Sequence, residues 1–255
     1  MKEIIFLLLI YSGFSFSQSD SKLKTIHVYV ALCDNINQGI VPVPKTLGNG
    51  QDPKNNLYWG AMYGVKSYFK RSKDWTLISI KDNDGSFVLE RLLFKHKTSN
   101  TYLLADAYDG KYIKNTIIDF LEATAGRKEI VVLNGTQELE FGGSSNLLAY
   151  VGHDGLMEFD VKGNFEPLNK KKRDAIILAC ISKDYFKTYL QLTKANPLVW
   201  STGLMSPEAY SLKWAIDGWI LNESDKKIRE RASQAYCHYQ KCGIKAARNL
   251  LVTGY

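Results

Sequence analysis

The sequence has little of what marks several classes of protein. Four cysteines are spread over 255 residues, which is too few for a disulfide scaffold in a chain of this length. After the N-terminal segment, no run reaches the roughly 18 apolar residues of a membrane-spanning helix. Internal repeats, low-complexity segments and linkers are also lacking. Because 45% of the residues are hydrophobic, the composition is typical of a globular protein with a substantial core.

The N-terminal residues have the pattern of a secretory signal. Lys2 is followed by an apolar stretch over 4–11 and then by the small and polar residues SGFSFSQ. This order predicts a signal peptide over residues 1–17, removed before Gln18. We therefore expect a secreted or periplasmic protein without a membrane span after signal removal. No cysteine directly follows the apolar stretch at the predicted cleavage site, so a lipid anchor is not indicated.

The charge balance is basic, with a formal net charge of +7. Removal of residues 1–17 takes away one Lys and one Glu, so the mature chain keeps the same net charge. A basic protein suits a nucleic acid or another anionic partner. The basic residues are nevertheless spread along the chain apart from KKKR at 170–173, which we interpret as a solvated loop between two strands. The sequence therefore predicts no nucleic-acid partner.

Cys237 and Cys242 are the only cysteines close enough in sequence to suggest a disulfide. On a continuous helix, residues five apart have Cα atoms roughly 8–9 Å apart, whereas a disulfide needs less than about 7 Å. Either Gly243 marks a break that lets the two thiols approach, or both stay free. His238 lies between them, but the spacing matches no usual zinc site. No metal or other cofactor is expected.

Strands and helices alternate along the chain. The predicted strands cover 24–34, 75–80, 86–97, 101–108, 128–133, 146–152, 173–179 and 196–202, and the predicted helices cover 55–71, 111–126, 183–195, 207–221 and 225–251, the last with a break at Gly243. The strands that precede His153 and Cys180 are apolar on both faces, which is typical of a buried parallel sheet. We therefore predict an α/β fold in which helices cover both faces of a mostly parallel sheet. Residues 86–108 add a small antiparallel hairpin, and residues 18–255 form one domain with C-terminal helices.

Several chemically able side chains lie at or just past the carboxyl ends of predicted strands. These residues are Asp34, His153, Cys180 and Ser201. In open parallel sheets, sites form at the shared edge where the strands end. The long irregular segment 35–53 leaves the first strand at the same edge, and such loops are often functional. The sequence therefore predicts a site at this edge.

Two motifs at these strand ends resemble the signature of the caspase-like cysteine peptidases. They are YVGHDG at 150–155 and IILAC at 176–180. This superfamily includes legumain, gingipain, clostripain, the caspases, separase and the GPI-anchor transamidase, and the resemblance covers most of residues 24–210. It implies a caspase-like three-layer sandwich and an exported cysteine endopeptidase that hydrolyses peptide or protein substrates.

The resemblance also implies roles for the residues of the two motifs. His153 corresponds to the general acid/base and Cys180 to the nucleophile. The backbone amide of Gly155, or that of Asp154 before it, corresponds to the oxyanion hole together with the Cys180 amide. Asp154, between the histidine and the glycine, is interpreted as a residue that holds the turn.

Three further residues are candidates for the substrate groove. Asp34 is placed where it could receive a basic substrate side chain, although an aspartate after a strand is also ordinary turn chemistry. Trp200 and Ser201 follow the fifth core strand, where the resemblance implies part of the groove, and Trp200 could equally be a core residue. Cys33 is interpreted as a packing or pocket residue.

Each member of the pair also has a purely structural interpretation. A cysteine after an apolar strand is commonly buried, and His153 beside glycine fits a polar turn. Their joint placement favours a catalytic dyad. Two alternatives remain open: a catalytically silent caspase-like module that binds a peptide or protein through the same groove, and a transpeptidase that uses the same residues.

Overall fold

The structure is a computed structural model that describes residues 22–82 and 86–255. The predicted signal peptide over residues 1–17 lies outside the described residues. Within them, no helix combines the length and the apolar character needed to cross a membrane.

The described residues form a large sheet, a small sheet and the helices that cover them. The strands are β1 (Lys24–Ala31), β2 (Trp75–Asp82), β3 (Val88–His96), β4 (Thr101–Tyr108), β5 (Ile130–Asn134), β6 (Gln137–Phe141), β7 (Leu147–Val151), β8 (Asp174–Leu178), β9 (Asn196–Ser201) and β10 (Leu251–Val252). The helices are α1 (Val65–Arg71), α2 (Ile113–Thr124), α3 (Ser182–Thr193), α4 (Ala209–Ile220), α5 (Asp225–Gln240) and α6 (Ile244–Leu250).

The large sheet has the strand order β10-β9-β8-β7-β1-β4-β3-β2. The five strands from β9 to β4 run parallel, and β10 and β3 pair antiparallel with the two ends of this group. Nearly every residue of β1, β4, β7 and β8 is buried, as expected for a parallel sheet covered on both faces. The prediction of an α/β fold with a mostly parallel sheet is confirmed.

The two faces of the sheet carry separate hydrophobic clusters. On one face, residues of α1, α4, α5 and α6 pack with alternate residues of the strands, such as Val28 and Ile176. On the other face, α2 and α3 pack with the intervening residues, such as Tyr29 and Ile177. Because side chains alternate between the faces of a strand, each central strand serves both clusters. The arrangement is a three-layer sandwich.

Two hairpins extend this architecture. The predicted hairpin over 86–108 forms as β3 and β4, and it belongs to the large sheet. A second hairpin, β5 and β6, forms the separate two-stranded sheet, and its Leu139 and Phe141 pack against Leu104 of β4. The sequence predicted β5 but not β6, whose residues QELEF are mostly polar.

The predicted helix over 55–71 forms only in its second half, where α1 begins at Val65. The Asn56 side chain accepts a hydrogen bond from the Cys33 amide (3.0 Å) and donates one to the Cys33 carbonyl (2.8 Å). These bonds tie the segment to the end of β1. A Cβ on Gly64 would lie 2.4 Å from backbone five residues earlier. The first half is therefore a tight series of turns in which glycine is required.

The C-terminal helical region breaks where the sequence predicts. The first helix ends at Gln240 and the next begins at Ile244, and Gly243 between them has φ +81°. This left-handed conformation suits glycine. Cys237 and Cys242 are both free thiols, so the break does not join them. Residues Leu251–Val252, at the end of the region predicted as helical, form the edge strand β10.

Candidate active site

His153 and Cys180 follow two neighbouring strands in matched positions. β7 and β8 are adjacent and parallel, and their last register pair is Val151 with Leu178. Each of the two candidate residues comes two positions after its member of that pair. Since neighbouring strands are about 4.8 Å apart, the chain delivers His153 and Cys180 side by side at the carboxyl edge of the sheet.

Both residues line one cavity of about 440 Å³. Its walls come from the segment 39–43 after β1, from Leu57 and Tyr58, and from the loop 204–208 after β9. This volume is in the range of sites that hold small ligands or peptide side chains. The edge predicted from the strand ends therefore contains a cavity, and the long segment 35–53 contributes one of its walls.

The Cys180 thiol is half-buried in this cavity. Its Sγ lies 3.5 Å from the Met205 carbonyl oxygen, to which it donates, and 3.4 Å from the Met205 amide nitrogen. Cys180 also immediately precedes the turn into α3, which begins at Ser182. The two contacts with the Met205 backbone fix the sulfur in the cavity wall.

His153 is held from two directions. Its imidazole Nε2 lies 2.5 Å from the Glu158 Oε1, and the Tyr150 hydroxyl donates a 2.7 Å hydrogen bond to its carbonyl oxygen. The side chain is 7% exposed. The ring is fixed at the cavity wall by a carboxylate, which is the arrangement that orients a general acid/base.

Glu158 is a residue of the candidate site that the sequence does not predict. Its Oε1 accepts hydrogen bonds both from His153 and from the Gly39 amide, the latter at 2.7 Å. The single helical turn Gly155–Met157 folds the chain back, so that a residue five positions after His153 meets its ring. Glu158 thus connects the histidine to the segment that forms one cavity wall. The only sequence signal was an acidic residue shortly after the HDG motif.

Asp154 holds the turn, as predicted. Its Oδ1 accepts a 3.1 Å hydrogen bond from the Leu156 amide, at the start of the turn. Its Oδ2 is buried and has no hydrogen-bond partner within the described residues. Burial raises the pKa of Asp154 to about 7, and the negative charge of Glu158 adds to the effect.

This buried acid predicts a stability that depends on pH. The pKa of Asp154 is higher in the folded than in the unfolded state, where it is about 3.9. The stability that protonated Asp154 contributes is therefore fully present below about pH 4 and is lost as the pH rises through about 7. Asp154→Asn keeps the capping oxygen without the charge. We expect the unfolding free energy of this variant to rise relative to wild type by about 2–3 kcal/mol between pH 5 and pH 8.

Thermal melting of both proteins across this pH range measures the difference. The exposed Asp160 supplies the matched control, and Asp160→Asn should follow the wild-type curve throughout. Parallel curves for wild type and Asp154→Asn would show that Asp154 is ionised at no cost in the folded protein.

The glycine that lines the cavity is not the one that the sequence predicted. Gly152 lines the cavity, whereas Gly155 is buried outside its lining. A Cβ on Gly155 would meet the Phe159 ring at 2.5 Å and the Ile117 side chain at 3.2 Å, so this face points toward α2. Of the two predicted oxyanion-hole residues, only Cys180 lies in the cavity wall.

The three predicted groove residues do not line the cavity. Asp34 is 1% exposed, and its two oxygens accept hydrogen bonds from donors of residues 36–51. Burial opposes ionisation of Asp34, but these donors hold its pKa below the usual range. It is a turn residue with no oxygen left for a substrate cation.

Trp200 and Ser201 also have structural roles. The Trp200 indole is fully buried among the residues that pack against α2 and α3, and its Nε1 donates a 3.1 Å hydrogen bond to the Gly254 carbonyl. The Ser201 hydroxyl accepts a 3.1 Å hydrogen bond from the Ser182 amide and donates to the Ala179 carbonyl. Ser201 therefore stabilises the turn that carries Cys180 without itself facing the cavity.

Cys33 is buried, as predicted, and burial raises its pKa to about 11. β7 lies between β1 and β8, so the strand that precedes Cys33 and the strand that precedes Cys180 are not neighbours. No group of three or more potential metal ligands occurs within residues 22–82 and 86–255.

Comparison with protein-family models, with curated proteins and with solved structures finds no match to this chain.

Proposed function

We propose that this protein is an exported cysteine endopeptidase of the caspase-like kind, with Cys180 as nucleophile and His153 as general acid/base. One observation carries the proposal: a thiol and an imidazole follow adjacent parallel strands at matched positions and line the same cavity. The three-layer sandwich and the motifs at 150–155 and 176–180 agree with the resemblance. Export rests on the signal-like sequence of residues 1–17.

In the proposed reaction, His153 accepts the proton of the Cys180 thiol, and the sulfur attacks the carbonyl carbon of the scissile peptide bond. A carbon–sulfur bond forms, and the carbonyl electron pair moves to the oxygen. When the tetrahedral intermediate collapses, the carbon–nitrogen bond breaks and protonated His153 gives its proton to the leaving amine. His153 then accepts a proton from the water that attacks the thioester carbon. When this second intermediate collapses, the carbon–sulfur bond breaks, the carboxylic acid product is released, and the Cys180 sulfur takes back its proton from His153.

The developing oxyanion needs backbone donors in the cavity wall. The Cys180 amide is the first of these in the proposal. Gly155 is the second on the basis of the resemblance, but Gly152 is the glycine that lines the cavity, and its amide already donates to the Leu178 carbonyl (3.2 Å). A carbonyl bound between the two strand ends would lie beside both the thiol and the segment 152–155.

Glu158 is a positioning residue in this mechanism. Its carboxylate holds the Nε2 side of the His153 ring and supplies a negative charge beside the imidazolium. We expect Glu158→Gln to lower kcat by about 10- to 100-fold, because a small loss of alignment at a reacting group costs rate on this scale. The KM should change little, because the amide oxygen of the variant still accepts the Gly39 hydrogen bond.

Steady-state kinetics of Glu158→Gln, Glu158→Asp and the exposed-site control Glu166→Gln measure this effect. Glu158→Asp retains the charge and should recover part of kcat. A rise in KM at unchanged kcat would instead assign Glu158 to the cavity wall alone.

The test of the function is cleavage of a peptide library by the full-length chain under reducing conditions, beside His153→Ala and Cys180→Ala. Cleavage by wild type alone, blocked by a thiol alkylator, is the expected result. Binding of peptides without cleavage by any of the three proteins would support the silent peptide-binding module. New peptide bonds to added amines would identify a transpeptidase.

A further inference from the structure

The cavity at the candidate active site is mostly apolar and contains one carboxylate. Aliphatic side chains of Ile40, Val43 and Leu57 form part of its wall, and the loop 204–208 adds more apolar surface. Glu208, in that loop, is the only Asp, Glu, Lys or Arg among the lining residues that the structure describes. Apart from His153, which the proposed mechanism occupies, no basic side chain lines the cavity within the described residues, so it offers no lysine or arginine to pair with an acidic substrate side chain.

Glu208 lacks a cationic partner. Its Oε2 accepts hydrogen bonds from the Tyr210 hydroxyl (2.9 Å) and from the Gln240 amide (3.2 Å). Within the described part of the chain, its Oε1 accepts no hydrogen bond and the carboxylate forms no ion pair. Burial raises the pKa of Glu208 above its usual value, which reflects the cost of a carboxylate removed from water without a cation.

The other carboxylates near this edge of the sheet are already engaged. Glu158 binds the His153 ring and the Gly39 amide. Both oxygens of Asp34 are taken by neighbouring amides, and Asp34 does not line the cavity. Glu208 is thus the one carboxylate in the described cavity wall with an oxygen free for a ligand.

Glu208 is also within reach of the reacting sulfur. The Met205 backbone touches the Cys180 Sγ at 3.4–3.5 Å, and Glu208 is three residues further along the same loop. Three residues span at most about 11 Å. Lysine and arginine combine an apolar stem with a charged end, which matches an apolar wall that leads to a carboxylate.

We propose that Glu208 makes the cavity selective for a lysine or arginine side chain of the substrate next to the scissile bond. The apolar wall covers the methylene stem, and the free oxygen of Glu208 accepts a charge-assisted hydrogen bond from the cation. The inference rests on the proposed peptidase function for its meaning as substrate selection, but the binding preference exists independently of cleavage.

Binding is measured with full-length Cys180→Ala, which cannot cleave the probes. The probes are acetyl-Ala-Ala-Lys-amide and acetyl-Ala-Ala-norleucine-amide, which share an apolar stem and differ in the terminal cation. Isothermal titration at low salt should give at least tenfold tighter binding of the lysine peptide. Adding Glu208→Gln should abolish this preference, Glu208→Asp should retain most of it, and the exposed-site control Glu166→Gln should leave it unchanged.

Equal or tighter binding of the norleucine peptide would overturn the inference, as would a lysine preference that survives Glu208→Gln. Glu208→Gln keeps an acceptor for Tyr210 and Gln240, and its melting curve verifies the fold. Should it unfold, Tyr210→Phe leaves the carboxylate in place, and loss of the preference in that folded variant would also contradict the inference. Lysine binding through Glu208 without cleavage by wild type would overturn only the peptidase proposal, and cleavage without lysine preference would overturn only the selectivity.

Discussion

Replacement of Cys180 by alanine is expected to lower kcat/KM for peptide hydrolysis by more than about 10⁴-fold, which is the scale of losing a catalytic nucleophile. Without the sulfur no thioester forms, and only binding and the backbone donors of the cavity remain to assist water. Cys180→Ser should be nearly as inactive, because a hydroxyl is a much weaker nucleophile than a thiolate at neutral pH. Initial rates on a cleaved library peptide measure both variants.

The other cysteines provide the controls. Cys242 is exposed and far along the chain at the break before α6, so Cys242→Ala should hydrolyse the peptide at the wild-type rate. Cys33 is buried with a pKa of about 11, which makes it unreactive toward alkylators. A Cys180→Ala protein that retains activity within tenfold of wild type would remove the dyad from consideration and leave the cavity as a binding site.

The sheet was predictable because its central strands have a characteristic sequence pattern. Residues such as Val151 and Leu178 belong to runs that are apolar on both faces. This pattern is typical of a strand that is covered on both faces of the sheet. Because the strands before His153 and Cys180 run parallel, both residues lie at the edge of the sheet where these strands end. By contrast, the turns at 55–64 carry a four-residue apolar spacing that predicts a helix. Their conformation depends on the bonds between Asn56 and the end of β1, which a local pattern does not contain.

The candidate site was predictable only in part for the same reason. The dyad lies at strand ends, and strand ends are visible in the sequence. Glu158 meets His153 through a turn, and Glu208 reaches the cavity through the loop that contacts Cys180, so both depend on tertiary contacts. Trp200 was a candidate for either the groove or the core, and the outcome depends on C-terminal residues more than fifty positions later in the chain, which cover it.

A buried ionic group beneath the second hairpin is independent of the proposed activity. Asp106 of β4 is fully buried, and it accepts hydrogen bonds from the Arg91 guanidinium (2.6 and 2.7 Å) and from His27 Nε2 (3.0 Å). Burial opposes ionisation of Asp106, but Arg91 and His27 outweigh it and hold its pKa below the usual range. Burial lowers the pKa of His27, so at neutral pH the ring is neutral and its Nε2–H donates. The charge pair is therefore Asp106 with Arg91.

Loss of this carboxylate is expected to be the most destabilising single change considered. Asp106→Asn leaves the partly buried Arg91 without its counter-charge, and breaking such a pair costs about 3–5 kcal/mol, or roughly 6–20 °C in melting temperature for a chain of this size. The double variant Asp106→Leu/Arg91→Met removes both charges and should lose less, because no unpaired ion remains. The exposed-site control Asp160→Asn should stay within about 0.5 kcal/mol of wild type.

The destabilisation should also depend on pH. Because the Asp106 pKa is lowered on folding, the difference in unfolding free energy between wild type and Asp106→Asn should be complete above about pH 4 and shrink as the pH falls further. Denaturant unfolding at pH 7 and pH 3 tests both statements, and a double variant less stable than Asp106→Asn would show that the pair, rather than the unpaired cation, accounts for the stability.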